Sequence, residues 1–217
     1  MRFADKLIVV TGASSGIGRQ AALDFAKQGA GHLILVSRSE QKLSQLAREI
    51  AGISPGCSPV PYACDVSDKA KVLKMGNDIL DRFGRVDVLV KNAGFAFFKS
   101  VKNLSIEEIE SMTATNYYGM VYCTKVFLNS MLARRSGHIV NVASLAASFG
   151  VAGLAPYCAS KFAMLGFSES LYHELAGTGV RVTVVSPIAV RTNFFDHESF
   201  GGRVPNYVGS ALDPNSV

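Results

Sequence analysis

Residues 7–18 read LIVVTGASSGIG. The first four, Leu7-Ile8-Val9-Val10, are branched and apolar, and such a run without polar alternation predicts a strand that is buried on both faces. Glycines follow at positions 12, 16 and 18, and the apolar residues of 17–28 recur with helical spacing. The stretch therefore predicts a strand, a glycine-containing turn and a helix in direct succession.

The same alternation of apolar runs and helical patterns continues along the chain. The predicted strands are 7–10, 33–36, 60–63, 86–90, 138–142 and 180–185. The predicted helices are 17–28, 40–50, 69–83, 106–115, 118–133 and 157–175. Because right-handed crossovers place helices on both faces of a parallel sheet, we expect an α/β fold. It is a doubly wound parallel sheet, Rossmann-like, of about six strands in one domain.

The composition excludes several classes of protein. The 217 residues are 48% hydrophobic and 18% charged, which suits one domain with a large core and excludes a disordered or collagen-like chain. The net charge of +5 is spread along the chain, so no nucleic-acid partner is expected. No apolar run reaches 18 residues and the N-terminal apolar run is too short for a secretory signal, so we expect no membrane span.

The four cysteines, Cys57, Cys64, Cys123 and Cys158, form neither a CxxC pair nor a zinc-ligand spacing. They predict reduced, packed thiols of a cytoplasmic protein and no metal site.

The glycine turn can bind a dinucleotide. Backbone amides without side chains can approach a pyrophosphate closely, and the N-terminus of the following helix adds positive potential. A glycine cluster by itself could also be a plain tight turn. Its place between a strand and a helix favours the binding function.

The TGxxxGxG spacing of residues 11–18 resembles that of the short-chain dehydrogenase/reductase family, and other motifs of this family follow in order. These are Asp65-Val66, Asn92-Ala93-Gly94, Asn116, Ser144 and the YxxxK motif of Tyr157 and Lys161. The resemblance covers about residues 6–192 and implies a nicotinamide-dependent oxidoreductase acting on CH-OH and C=O groups. It also implies a homodimer or homotetramer.

The resemblance and the glycine turn together define the expected cofactor site. Its residues are Gly12, Ser14, Ser15, Gly16, Ile17, Gly18, Ser37, Arg38, Ser39, Lys42, Asp65, Val66, Asn92, Ala93, Gly94, Tyr157, Lys161, Pro187, Val190 and Thr192. Asp65 is expected to accept a hydrogen bond from the adenine amino group, or alternatively to cap the next helix. Two residues depart from the family pattern: Lys91 stands where Asn is usual, and Ile188 where Gly is usual.

The end of the second strand indicates which dinucleotide is bound. A carboxylate there would accept the 2′-hydroxyl of NAD, whereas this chain has Ser37-Arg38-Ser39, whose guanidinium can bind a 2′-phosphate. The expected cofactor is therefore NADP(H). The alternative is that Arg38 is only a solvated residue at a helix start. Lys42, one turn later, could add charge to the same pocket or be simply exposed.

Tyr157 and Lys161 are four residues apart, which places both on one face of a helix. A neighbouring ammonium favours the phenolate, so Tyr157 can act as the acid in ketone reduction and as the base in alcohol oxidation. By resemblance, Lys161 also binds the nicotinamide ribose. The alternative is an amphipathic helix with an interfacial Tyr and a snorkelling Lys.

Two further residues complete the expected catalytic set. Ser144 directly follows the fifth strand, and its hydroxyl can donate to the substrate oxygen as negative charge develops; a strand-end turn is the alternative. Asn116 matches the family residue that starts a helix and whose backbone carbonyl holds a water leading to the lysine. The alternative there is a boundary between two helices.

Periodic structure ends after Ser186, and the single domain is expected to have two parts, divided after residue 192. Residues 1–192 are expected to bind NADP(H) and to hold the catalytic residues. Residues 193–217 are expected to form a substrate loop, and the chain is expected to be C-terminally truncated because it stops at a helix-like start. Phe194, Phe195 and Tyr207 would form a lid over an apolar substrate, with Phe95, Phe97 and Phe98 opposite, unless these rings are ordinary core.

The leading functional hypothesis is an NADPH-dependent carbonyl reductase and alcohol dehydrogenase. The resemblance implies transfer of the pro-S hydride to a small-molecule ketone. A 3-oxoacyl or long-chain keto-lipid reductase, acting for example on a 3-ketosphinganine-like substrate, is the alternative enzyme. A catalytically silent NADP(H)-binding sensor or scaffold is the alternative from another class, although the chain retains the Ser, Tyr and Lys that such proteins often lose.

Overall fold

The computed structural model describes residues 2–196, 200 and 212–216, and in them six strands form one parallel sheet. The strands are β1 (Leu7–Thr11), β2 (His32–Ser37), β3 (Ser58–Ala63), β4 (Val88–Lys91), β5 (Gly137–Val142) and β6 (Val180–Val185). Their order across the sheet is β3-β2-β1-β4-β5-β6, and every neighbouring pair is parallel. The predicted doubly wound α/β fold is confirmed.

The described residues form six α-helices, and five of them cover the two faces of the sheet. The six are α1 (Gly16–Lys27), α2 (Glu40–Ile53), α3 (Lys69–Phe83), α4 (Ile106–Thr113), α5 (Gly119–Ala133) and α6 (Ala155–Glu174). Successive strand residues point to opposite faces, so Ile8 and Val10 pack with apolar residues of α1 and α2, whereas Leu7 and Val9 pack with those of α3, α5 and α6. Burial on both faces explains why the strands lack polar alternation.

Short polar side chains determine where several helices start. The Ser39 hydroxyl accepts a hydrogen bond from the Lys42 amide at the start of α2, and the Asp68 carboxylate accepts one from the Lys71 amide at the start of α3. At the start of α4, Ser105 and Glu108 form a reciprocal capping box. These caps fix the points at which the loops that follow the strands turn into helices.

The strand order reverses between β1 and β4. In sheets of this kind, loops that leave β1 and β4 in opposite directions open a crevice beyond the carboxyl ends of the strands. A cavity of about 860 Å³, called the main cavity below, lies at this edge.

Candidate active site in the main cavity

The main cavity collects residues that lie far apart in the sequence. All the predicted cofactor residues line it except Gly18, and the predicted catalytic residues Ser144, Tyr157 and Lys161 line it as well. The walls come from the loops after β1, β2, β3, β4, β5 and β6 and from the first turns of α6. The fold thus brings the glycine turn and the YxxxK motif to one space.

The glycine turn after β1 needs glycine for two different reasons. Gly12 and Gly16 have φ values of +67° and +54°, a region that side chains disfavour. Gly18 has no such conformation, but a Cβ there would lie 2.4 Å from the Gly12 carbonyl oxygen. Gly18 therefore allows α1 to pack closely against the turn, and it is not among the residues that line the main cavity.

The loop after β4 is tied to the end of β1. The Thr11 hydroxyl accepts hydrogen bonds from the amides of Asn92 (3.0 Å) and Ala93 (3.2 Å). The Asn92 side-chain amide in turn donates to the Gly12 carbonyl at 3.3 Å. These bonds hold the loop at 92–94 against the glycine turn, so that both line the main cavity.

One end of the main cavity is polar. Ser37, Arg38, Ser39 and Lys42 lie together there, where β2 passes into α2, and the Arg38 side chain is exposed to solvent. The Ser37 hydroxyl accepts a hydrogen bond from the Ser39 amide at 3.2 Å, which holds this junction in a tight turn. The arrangement presents a guanidinium, an ammonium and two hydroxyls, a set of groups suited to a phosphate.

Asp65 lines the same part of the main cavity, just after β3. One carboxylate oxygen accepts hydrogen bonds from the Ser67 amide (3.0 Å) and the Ser67 hydroxyl (2.7 Å). Helix α3 is capped by Asp68, so the alternative interpretation of Asp65 as the helix cap is wrong.

Three of the predicted catalytic residues, Ser144, Tyr157 and Lys161, meet where β5 and α6 approach each other. Ser144 has an extended backbone and precedes the short turn at Leu145–Ala147, and its hydroxyl accepts a hydrogen bond from the Ala146 amide at 3.2 Å. The Lys161 amine donates to the Val142 carbonyl at 3.1 Å and lies 5.6 Å from the centroid of the Tyr157 ring. Burial lowers the pKa of Lys161 to about 8. A phenol, a hydroxyl and an amine therefore share one largely buried corner.

Asn116 lies inside a helix and does not start one. The helical turns α4 and α5 are joined without a break by a π-helical segment, Ala114–Tyr118, so the predicted gap between two helices is absent there. The Asn116 side chain accepts a hydrogen bond from the Phe95 amide and donates to the Phe95 carbonyl and the Ser160 hydroxyl, each at 3.0 Å. These three bonds explain how a buried Asn is tolerated within a helix, and they link the β4 loop to α6.

The two departures from the family pattern have different environments. Lys91 is 3% exposed at the end of β4, its amine donates to the Thr124 hydroxyl, and burial lowers its pKa to about 7. Ile188 is 48% exposed on the wall of the main cavity, and its backbone lies outside the left-handed region. The backbone conformation at 188 therefore does not require glycine.

The other end of the main cavity is apolar. Phe95, Phe194 and Phe195 line it, and the ring centroid of Phe194 lies 5.6 Å from that of Tyr157. Phe97 and Phe98 pack in the cluster behind this wall and do not face the cavity. Tyr207, predicted as part of a lid, lies outside the described residues.

Sequence reasoning missed several residues of the apolar end. Phe149, Val151 and Leu154, in the loop between β5 and α6, line the cavity together with Leu145 and Ala146. They belong to no motif. The signal that could have found them is their position between Ser144 and Tyr157, since both ends of this segment were placed at the crevice.

Other features of the described residues bear on binding partners. All four cysteines are free and buried. Within residues 2–196, 200 and 212–216, no cluster of His, Cys, Asp or Glu is arranged to hold a metal ion. In the same part of the chain, no helix is both long and apolar enough to span a membrane.

The comparisons with known proteins all indicate the same family. The family model described as short chain dehydrogenase matches residues 6–199. Over 189 residues, 86% of this chain, the sequence is 36% identical to dehydrogenase/reductase SDR family member 7B of Mus musculus. Over 202 residues, 89% of this chain, it is 34% identical to epidermal retinol dehydrogenase 2 of the same organism. The chain spans 58% and 63% of the lengths of these two relatives.

Solved structures agree in fold and differ in the bound nucleotide. A metagenomic short-chain oxidoreductase in complex with NADP superposes with a TM-score of 0.82 at 34% identity, covering 86% of this chain and 84% of that one. A short-chain dehydrogenase/reductase from Burkholderia phymatum in complex with NAD superposes with a TM-score of 0.85 at 31% identity, covering 96% and 73%.

Proposed function

The chain belongs to the short-chain dehydrogenase/reductase family, and we propose that it transfers hydride between NADP(H) and an apolar ketone or secondary alcohol. The observation that carries this proposal is that Ser144, Tyr157 and Lys161 line the same cavity as the glycine turn. A nucleotide on that turn and a carbonyl near the phenol would therefore share one space.

The residues of the main cavity fit an NADP molecule. Side chains at Gly12 and Gly16 are excluded by backbone conformation, which leaves the turn before α1 open to a pyrophosphate. Arg38 and Lys42, with Ser37 and Ser39, would hold the 2′-phosphate. Asp65 and Val66 would contact the adenine, and Tyr157, Lys161 and the loop at 187–192 would contact the nicotinamide end.

The proposed mechanism uses three side chains of this cavity. When bound, the reduced nicotinamide supplies the hydride. The Tyr157 hydroxyl donates its proton to the carbonyl oxygen of the substrate, and the nearby Lys161, as an ammonium, stabilises the phenolate that remains. The Ser144 hydroxyl donates a hydrogen bond to the same oxygen as negative charge develops on it. In the oxidation direction, Tyr157 accepts the proton from the alcohol.

The apolar end favours an uncharged and sizeable substrate. Phe95, Phe149, Leu154, Phe194 and Phe195 form its walls, and rings of this kind bind an apolar group by removing its surface from water. They also exclude water from the reacting carbonyl. A 3-oxoacyl or long-chain keto-lipid substrate is the second candidate, because the same apolar walls could hold an alkyl chain.

The test is the oxidation of NADPH by the protein over a panel of aliphatic and aromatic ketones, 3-oxoacyl thioesters and 3-ketosphinganine. We expect turnover of apolar ketones, with Tyr157→Phe as the inactive control. Tight NADPH binding without turnover of any panel member would favour the silent sensor or scaffold. No binding of NADPH would contradict the proposal.

A further inference from the structure

Lys91 is a buried amine that the proposed chemistry does not use. It ends β4, directly before the loop at 92–94 that lines the main cavity. Its amine donates to the Thr124 hydroxyl of α5, and that hydroxyl donates in turn to the Met120 carbonyl at 2.8 Å. Both side chains are almost fully buried. Burial makes protonation of this lysine costly in free energy, so its presence at the end of β4 needs an explanation.

A second, small cavity places Lys91 directly behind the main one. This minor cavity has a volume of about 10 Å³, enough for roughly one water, and Lys91 and Asn116 are among its lining residues. Val66, Ala93 and Thr115 line both the minor and the main cavity. These three residues therefore form a wall between the minor cavity, which Lys91 lines, and the space where the nucleotide is proposed to bind.

The polar neighbours of Lys91 are neutral. Asn141 of β5 is its cross-strand partner, and alternation along the strands directs both side chains to the face covered by α5 and α6. The Asn141 amide donates to the Ser168 hydroxyl at 2.7 Å, while its side-chain oxygen is buried without a hydrogen-bond partner in the described part of the chain. The Thr124 hydroxyl is the hydrogen-bond acceptor that the structure gives to the Lys91 amine.

The titratable groups that face Lys91 come from three directions. Helix α5 contributes the Cys123 thiol, which interacts electrostatically with Lys91 and with the Cys64 thiol just after β3. Helix α6 carries Lys161, which faces the main cavity. Burial lowers the pKa of Lys91 to about 7 and raises that of Cys123 to about 12, so the amine changes charge near neutrality while this thiol stays protonated.

We propose that Lys91 is a proton-binding residue that sets the relative affinity of the main cavity for oxidised and reduced NADP. This inference rests on the proposed function. The oxidised nicotinamide ring carries a positive charge that the reduced ring lacks, so an ammonium at Lys91 adds a repulsion toward the ring that is present only with the oxidised form. Because Lys91 is buried, solvent and salt screen this repulsion weakly. Lowering the pH through neutrality protonates Lys91 and favours the reduced nucleotide.

The test compares dissociation constants for NADP⁺ and NADPH, measured by calorimetry between pH 6 and pH 8. In the wild-type protein we expect the ratio of the NADP⁺ constant to the NADPH constant to fall by about threefold or more as the pH rises. Both nucleotides carry the 2′-phosphate, so its titration changes the two dissociation constants alike and cancels in their ratio. In Lys91→Met, the part of the pH dependence that comes from Lys91 should be lost, and the change that remains should come from Lys161, which lines the main cavity. Lys125→Met, at an exposed position of the same helix α5, should behave as the wild type.

A second measurement uses only the wild-type protein and stands even if Lys91→Met does not fold. Calorimetry at pH 6.5 in two buffers with different ionisation enthalpies counts the protons released on binding, at a pH closer to the lowered pKa of Lys91, about 7, than to that of Lys161, about 8. Binding of NADP⁺ should release more protons than binding of NADPH. Equal proton counts, or a Lys91→Met ratio that follows the wild-type pH curve, would overturn the inference and leave the proposed function intact. If neither nucleotide binds, the proposed function fails and the inference fails with it.

Discussion

The two ends of the main cavity are built from the chain in opposite ways. The polar end comes from one short run, in which Ser37, Arg38, Ser39 and Lys42 follow one another where β2 passes into α2. The apolar end is assembled from the loops after β4 and β5 and the segment after β6. A charge and its hydroxyl neighbours can be recognised locally, whereas a wall of rings becomes recognisable only after the fold has brought distant segments together.

The largest effect is expected at Tyr157, which lies between the two ends. Replacing it with Phe removes the proton donor and leaves the ring in place, so the rate of ketone reduction should fall by about 10²- to 10⁴-fold. NADPH affinity, measured by calorimetry, should stay within a few-fold. Tyr172→Phe, at an exposed position of the same helix α6, is the matched control and should keep full activity. A Tyr157→Phe protein with more than about a tenth of wild-type activity would require another proton donor.

The polar end is tested by reversing its charge. Hydrogen bonds from a charged group contribute about 1.5–3 kcal/mol, and about 1.4 kcal/mol is a tenfold change, so NADPH should bind at least about tenfold more tightly than NADH. Arg38→Asp should abolish or reverse that preference without changing the use of apolar ketones. Arg48→Asp makes the same charge change on the exposed side of α2 and should leave the preference unaltered. Equal dissociation constants for NADPH and NADH in the unmodified protein would contradict a 2′-phosphate site at the polar end.

The apolar end is tested by lengthening the substrate. Each buried methylene contributes about 0.8 kcal/mol, so KM for a series of aliphatic ketones should fall about fourfold per added methylene until the wall is filled. Replacing both Phe194 and Phe195 with Ser should flatten this trend and leave turnover of the smallest ketones unchanged. Phe162→Ser, at an exposed position of α6, serves as the control. A KM that does not depend on chain length would favour a small polar substrate.

The sequence predicted the architecture well because its signals are local. The strands, the helices and the glycine turn each depend on spacing within about twenty residues, and the structure confirms their order and parallel arrangement. The structure also brings Ser144, Tyr157 and Lys161 to one cavity, although their catalytic roles stay predictions.

What the sequence could not provide depends on contacts between distant segments. The glycine at 18 looks like its neighbours in the motif, and only the approach of the Gly12 carbonyl reveals that it serves packing. The break predicted near Asn116 is absent because Phe95 and Ser160, distant in sequence, satisfy its side chain. The orientation of Lys91 likewise depends on the position of Thr124 on α5.

The most direct test of hydride transfer follows the hydrogen itself. NADPH carrying deuterium at the pro-S position of the nicotinamide C4 is incubated with the protein and the best ketone of the panel, and the alcohol is analysed by mass spectrometry. We predict one deuterium on the carbinol carbon, and none when the label is at the pro-R position. Transfer from the pro-R position alone would correct only the face of the ring that is used. An alcohol without deuterium from either labelled nucleotide, or no alcohol at all from any ketone, would contradict the account.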